Sequence, residues 1–169
     1  DGEGEKYESG NITNKNITLN VLSVNNVTSE IFVNKQRVSN NFVLTETGDY
    51  SIELESIDNA ENIEQDNYEV IIDKIAPTIE GVEKGSVYYE SVTPIVKDND
   101  IKSSKLYLSG NLVTGYKLNS TIEQVGRYDL EIIDNAGNVT RTNFEIKEPT
   151  ITDIKKYTIK EDKFISGIE

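Results

Sequence analysis

The sequence predicts an all-β protein built as two tandem antiparallel β-sandwich modules, with a short C-terminal extension belonging to a further unit. Three observations carry this. The best apolar stretches alternate with a period of two, as in Tyr128, Leu130 and Ile132 set against Asp129 and Glu131, which puts one face in a core and the other in water. Asn, Ile, Thr, Ser, Val and Tyr dominate, and no long stretch has a helical apolar period. One pattern also occurs twice: Gly126-Arg127-Tyr128-Asp129-Leu130-Glu131-Ile132-Ile133-Asp134-Asn135-Ala136-Gly137-Asn138 returns, degraded, as Gly48 to Leu54 followed by Ile57-Asp58-Asn59-Ala60-Glu61-Asn62.

That pattern reads as a strand, a turn and a returning strand. Asp and Asn side chains can bond their own backbone, and Gly137 accepts positive φ without steric cost. Val139 to Ile146 returns with Thr142, Phe144 and Ile146 in one register. Glu61 stands where the second copy has Gly137, which predicts a looser or bulged hairpin in the first copy.

The repeats align at an offset of 75 from Glu8: Ile17-Thr18 with Val92-Thr93, Val21 with Val96, and Ile31-Phe32-Val33 with Leu106-Tyr107-Leu108. The offset then drifts to 78 at Gly48/Gly126 and Tyr50/Tyr128, and to 76 at Asp58/Asp134. Residues 1–7 form a linker or residual strand, 8–74 the first module, 75–148 the second, and 149–169 a linker and the start of a third unit. Strands are expected near 16–24, 30–34, 41–46, 49–57 and 67–73, then near 78–82, 91–97, 104–109, 116–123, 127–133 and 140–147. Pro77 fixes φ and pushes Ala76 toward extended backbone, making a short, semi-rigid joint.

Composition excludes several chemistries. With no His and no Cys, a Ser-His-Asp triad, a Cys-His pair and a zinc site are ruled out. The net charge is −13, and both modules carry a share of it: 12 acids against 4 bases in residues 8–74, and 11 against 8 in residues 75–148. Such a surface repels nucleic acid and anionic lipid, so no nucleic-acid partner is expected. No apolar run approaches the roughly 20 residues needed to span a bilayer, so no membrane insertion is expected. The absence of a secretory or sorting segment, and the abrupt end at Ile168-Glu169, suggest a fragment of a longer protein.

Candidate sites are sparse. Asp98 and Asp100, with Asp73 at the joint and Asp134 at the hairpin, are candidate calcium ligands, because hard cations want several oxygens; a solvated turn is the competing reading. No other cofactor is expected. Tyr88, Tyr89 and Tyr116 are candidates for an aromatic platform that binds sugar rings, against ordinary strand tyrosines with one edge in the core. The carboxylate pairs Glu53/Glu55 and Asp129/Glu131 alternate onto a solvated strand face, so they do not suggest a glycosidase.

Ala76-Pro77-Thr78-Ile79, followed by the Gly126 to Asn138 pattern, resembles the bacterial Ig-like repeats found in tandem in surface and secreted proteins of Firmicutes, especially clostridia. The Tyr157–Ile168 stretch resembles a segment near the ends of large clostridial secreted proteins. The resemblance implies Ig-like sandwiches that act outside the cell as non-catalytic spacers, as adhesins for host matrix or glycan, or as accessory domains of a secreted carbohydrate-active enzyme. The expected partners are neighbouring domains of the same protein, and the expected state is a monomer. It also implies that Tyr50 and Tyr128 are tyrosine-corner residues, whose hydroxyls bond nearby backbone, with Gly126, Gly137 and Pro77 as the other structural positions.

Overall fold

The computed structural model describes residues 7–21 and 27–150. Among them are fourteen strands and no helix: β1 Ile12–Thr13, β2 Ile17–Leu19, β3 Val27–Val33, β4 Gln36–Val38, β5 Phe42–Leu44, β6 Gly48–Asp58, β7 Ile63–Ile72, β8 Thr78–Glu80, β9 Ser86–Tyr88, β10 Ile95–Lys97, β11 Ile101–Leu108, β12 Asn111–Leu112, β13 Gly126–Asp134 and β14 Val139–Ile146. The chain divides into two compact units, Asp1–Ala76 with Ile133–Val139, and Pro77–Ile132 with Thr140–Glu169. The expected strands of a third unit lie outside the described residues.

In the first unit a five-stranded sheet runs β1-β7-β6-β3-β4, and β2 pairs with β5 in a second, two-stranded sheet. Ile17 and Leu44 of the small sheet pack with Ile31, Val33, Ile52, Val70 and Ile72 of the large one. The second unit repeats the plan, with a β12-β11-β13-β14-β9 sheet, a β10-β8 sheet and a Val92–Ile122 bridge. Its core joins Val82, Val92, Val96 and Ile122 to Leu106, Tyr128, Leu130, Ile132, Phe144 and Ile146. Each core therefore lies between two sheets, as in a β-sandwich. The alternation read in β13 is realised, since Tyr128, Leu130 and Ile132 are buried and Asp129 is exposed.

The long hairpin explains the drifting offset. β6 pairs with β7 without interruption from Gly48↔Ile72 to Ile57↔Ile63. β6 has 11 residues where β13 has 9, and β7 has 10 where β14 has 8. Two extra residues on each arm carry the offset from 78 at the hairpin's mouth to 76 at its tip and 74 beyond it.

The expectation of a loose or bulged first hairpin is corrected. Glu61 takes φ 65 where Gly137 takes φ 93, and both turns close with the same bonds. Asp58 N donates to Asn62 O and Asp134 N to Asn138 O, both at 3.1 Å. A single strained φ in Glu61 is outweighed by Asp58 Oδ1, which accepts from Ala60 N at 2.8 Å and Asn62 N at 2.9 Å.

The predicted strand at 116–123 is also corrected. Ser120 N donates to Lys117 O, Asn119 takes φ 60, and Asn119 Oδ1 accepts from Val96 N at 2.7 Å, so the segment turns instead of running extended. The edge strands β4 and β12 were not expected. Asn34-Lys35 and Ser109-Gly110 bring them about through two successive positive φ values, the geometry of a type I′ hairpin. Nor were the parallel pairings of β1 with β7 and β9 with β14, which are too short to show periodicity.

Gly81 has φ +79, and a Cβ there would lie 2.4 Å from the Thr93 carbonyl oxygen; Gly110 has φ +84 and open space around it. Gly110→Ala should lower stability by about 1 kcal/mol, the cost of left-handed backbone alone. Gly81→Ala should cost roughly 3 kcal/mol, since the sandwich must also move its backbone. Urea denaturation of the two variants, followed by tyrosine fluorescence, checks the difference.

Candidate functional site

The tyrosines sort by where their hydroxyls go. Tyr128 Oη donates to Gln124 O at 2.7 Å, and Tyr50 Oη to Glu46 O at 2.9 Å, each four residues upstream. Tyr128 also stacks on Phe144, with centroids 5.2 Å apart at 19°. Gly126 opens this strand at φ +148, where a Cβ would meet Leu108 Cδ1. Pro77 is buried, and its carbonyl accepts from Thr140 Oγ1.

Tyr88 and Tyr116 do not present an exposed platform. Both pack against the second unit's core. Tyr88 meets Phe144 edge-on at 6.2 Å, and its hydroxyl accepts from Glu83 N at 2.7 Å. The Tyr116 hydroxyl is buried without a hydrogen-bond partner among the described residues, and burial pushes its pKa above the ordinary tyrosine value. Tyr89 is half-buried. Residue pattern assigns each ring to a segment but not to the face on which it stands, and in 116–123 the expected strand itself is absent.

The aspartates make turns. Asp98 Oδ1 accepts from Asp100 N at 2.7 Å, and Asp73 Oδ1 from Ile75 N at 2.9 Å. Asp134 is buried, with Oδ1 accepting from Asn138 N at 2.8 Å and Oδ2 from Asn138 Nδ2 at 2.9 Å. Inside the first unit the same Asn138 amide donates to Asp73 O at 2.9 Å, so a neutral amide links Asp73 and Asp134. Among the described residues no three acidic side chains gather as a metal site. One member of each carboxylate pair is engaged across strands: Arg141 holds Glu131 at 2.6 Å, and Gln65 Nε2 donates to Glu55 at 2.9 Å.

Two concavities were not foreseen. One of about 380 Å³ is bordered by Ser29, Glu30 and Arg37, and one of about 280 Å³ by Tyr107, Glu131 and Arg141. In each the opposite charges pair with one another, at 2.8 Å for Arg37–Glu30. Sequence reading also missed Asn40, whose side chain brackets Val21 by accepting from its N–H at 2.8 Å and donating to its C=O at 3.1 Å. With Asn119 on Val96 N, this is a recurrent asparagine clamp, legible only as an Asn in each loop before the long hairpin.

No family model matches the chain. Over 77 residues it is 43% identical to an outer cell wall protein of Brevibacillus brevis, an alignment covering 46% of this chain and 8% of that protein. The chain thus spans under a tenth of that relative's length. Among solved structures, the I67–I69 fragment of titin overlaps at a TM-score of 0.48 and 12% identity, covering 81% of this chain and 61% of the fragment. The fibronectin(III)-like modules of Clostridium thermocellum CbhA overlap at 0.43 and 14%, covering 83% and 91%. Both scores lie below 0.5, and the sandwich assignment rests on this chain's own strand order and cores.

Tyr128→Phe should destabilise the protein by about 1 kcal/mol, because it strands the Gln124 carbonyl while keeping the ring stack. Tyr116→Phe should be neutral or stabilising by up to about 1 kcal/mol, because it removes a buried hydroxyl without a partner. Thermal melts of both variants decide. Asp58 is expected to titrate below its ordinary 3.8, chiefly through the side-chain hydrogen bond from Asn62 and then that residue's backbone N–H. A lowered folded pKa means the contribution is present above the unfolded pKa and fades as pH falls through the folded one. Carboxyl NMR titration should show the Asp58 midpoint rising toward 3.8 in Asn62→Ala.

Proposed function

We propose that the chain is a pair of non-catalytic, extracellular structural modules of a bacterial cell-surface protein, serving as a spacer. The observation that supports this best is the 43% identity over 77 residues to an outer cell wall protein. The described side-chain chemistry agrees with it. Asp73, Asp98 and Asp134 are engaged by amides, Glu131 by Arg141 and Glu55 by Gln65, and the aromatic rings Tyr88 and Tyr116 are turned to the core.

A spacer must stay folded while its ends are drawn apart. In the first unit the early strand β1 pairs in parallel with β7, and in the second β9 pairs in parallel with β14. Pulling on the two ends of such a pair loads its hydrogen bonds together, in shear, so resistance is set by the unfolding barrier and not by equilibrium stability. That suits a module whose task is to hold distance.

The purified chain should give no saturable binding to mucin glycans, plant polysaccharides, collagen, fibronectin or cell-wall preparations, with or without calcium, and should release no sugar from them. Biolayer interferometry and a reducing-sugar assay provide the readouts. Saturable binding abolished by Tyr89→Ala would replace the spacer by an adhesin, and sugar release would replace it by an enzyme.

A further inference from the structure

The two hairpin tips have the same internal bonds and different surroundings. Asp58 Oδ2 accepts from Asn62 Nδ2 at 2.9 Å, as Asp134 Oδ2 does from Asn138 Nδ2. The tip at 133–139 is covered inside the first unit: Ala136 is 7% exposed, and its carbonyl accepts from Asn14 N at 3.0 Å. Asn138 Nδ2 reaches Asp73 O at 2.9 Å. The matching residues Ala60 and Asn62 are exposed. Two turns of one design thus differ in whether a backbone donor and acceptor, the Asn14 N–H and the Asp73 carbonyl, bond to them.

We infer that the Asp58–Asn62 tip is a docking site for the end of another module of this kind, which would present the equivalents of Asn14 N–H and the Asp73 carbonyl to Ala60 O and Asn62 Nδ2. The inference does not depend on the spacer reading. Specificity would come from geometry: an acceptor at Ala60, a donor at Asn62, and an Asp58 carboxylate that fixes the amide's orientation. Glu61 adds a side chain at the contact. At the matching Gly137, a Cβ would meet the Asn14 side chain at 3.7–4.0 Å, ordinary contact distances, so there is room for one. Because the first hairpin's arms are two residues longer, its tip stands about 7 Å further from its own core.

The test adds a second copy of residues 7–76 ahead of the whole chain, with one glycine between Ala76 and Asp1. By the offset of 75, Ala76 would otherwise meet Gly2, so the glycine and Asp1 lengthen the joint by two residues, matching the longer arms. Hydrogen exchange at the Asn62 side-chain amide, read by NMR, should slow by roughly fivefold to tenfold relative to the chain alone, as one added hydrogen bond gives. The gain at the neighbouring Ala60 and Glu61 amides should vanish in a fusion carrying Asn62→Ala. As a second readout, Asn14→Cys in the added copy and Glu61→Cys in the original should form a disulfide in air, since the chain is otherwise free of cysteine. Unchanged exchange in the fusion, or no disulfide from the cysteine pair, overturns the inference.

Discussion

Burial of one face of the long hairpin against a two-stranded layer is the constraint to which the other elements answer. Tyr128, Leu130 and Ile132 are buried to within 3% of full coverage, and Ile52, Val70 and Ile72 hold the same place in the first unit. Because side chains alternate, the apolar face fixes where Asp129, Glu131, Glu53 and Glu55 must go. The tyrosine hydroxyl then sets the hairpin's mouth, by bonding a carbonyl four residues before it. Asparagine side chains also bond backbone at the small sheets, at Val21 just past β2 and at Val96 within β10. With modules this small, little apolar area is available, and such backbone-directed polar bonds make up part of what a larger core would supply.

The sequence announces what repeats and what alternates. The hairpin, its turn residues, the two cores and the two-module count all follow from period-two patterning and a shared offset, each built from many residues at once. What it does not announce comes from one or two residues. Nothing in Ile12–Thr13 or Ser86–Tyr88 signals a parallel edge, because two or three residues show no period. Leu118 and Ile122 look like strand residues, yet between them Asn119 and Ser120 bond the backbone and bend it.

The candidate site was legible as residue types and illegible as partnerships. Asp98, Asp73 and Asp134 are the oxygen donors the sequence named, but a carboxylate two residues before an N–H can close a turn as readily as it can bind an ion. Local partners are always at hand, so a ligand must outcompete them. The same ambiguity attends Tyr88 and Tyr116: β-propensity places tyrosine on a half-buried surface without saying which half.

The insertion in the first hairpin shows how the two modules could diverge without losing the plan. Adding one residue to each arm would turn every apolar side chain of the outer hairpin to the wrong face. Adding two keeps parity, leaves the Gly48–Leu54 and Val70–Ile72 pairings on their core, and lengthens only the outer arm. The consequence appears at the end of that arm, where Ile63 is 61% exposed and has no place in the first unit's core. A largely exposed apolar side chain outside the core cluster marks the arm as an extension beyond what the core requires. The turn at its end nevertheless keeps the Asp–Asn bonds of its shorter counterpart, so the outer arm varies in reach while its tip is held to one geometry.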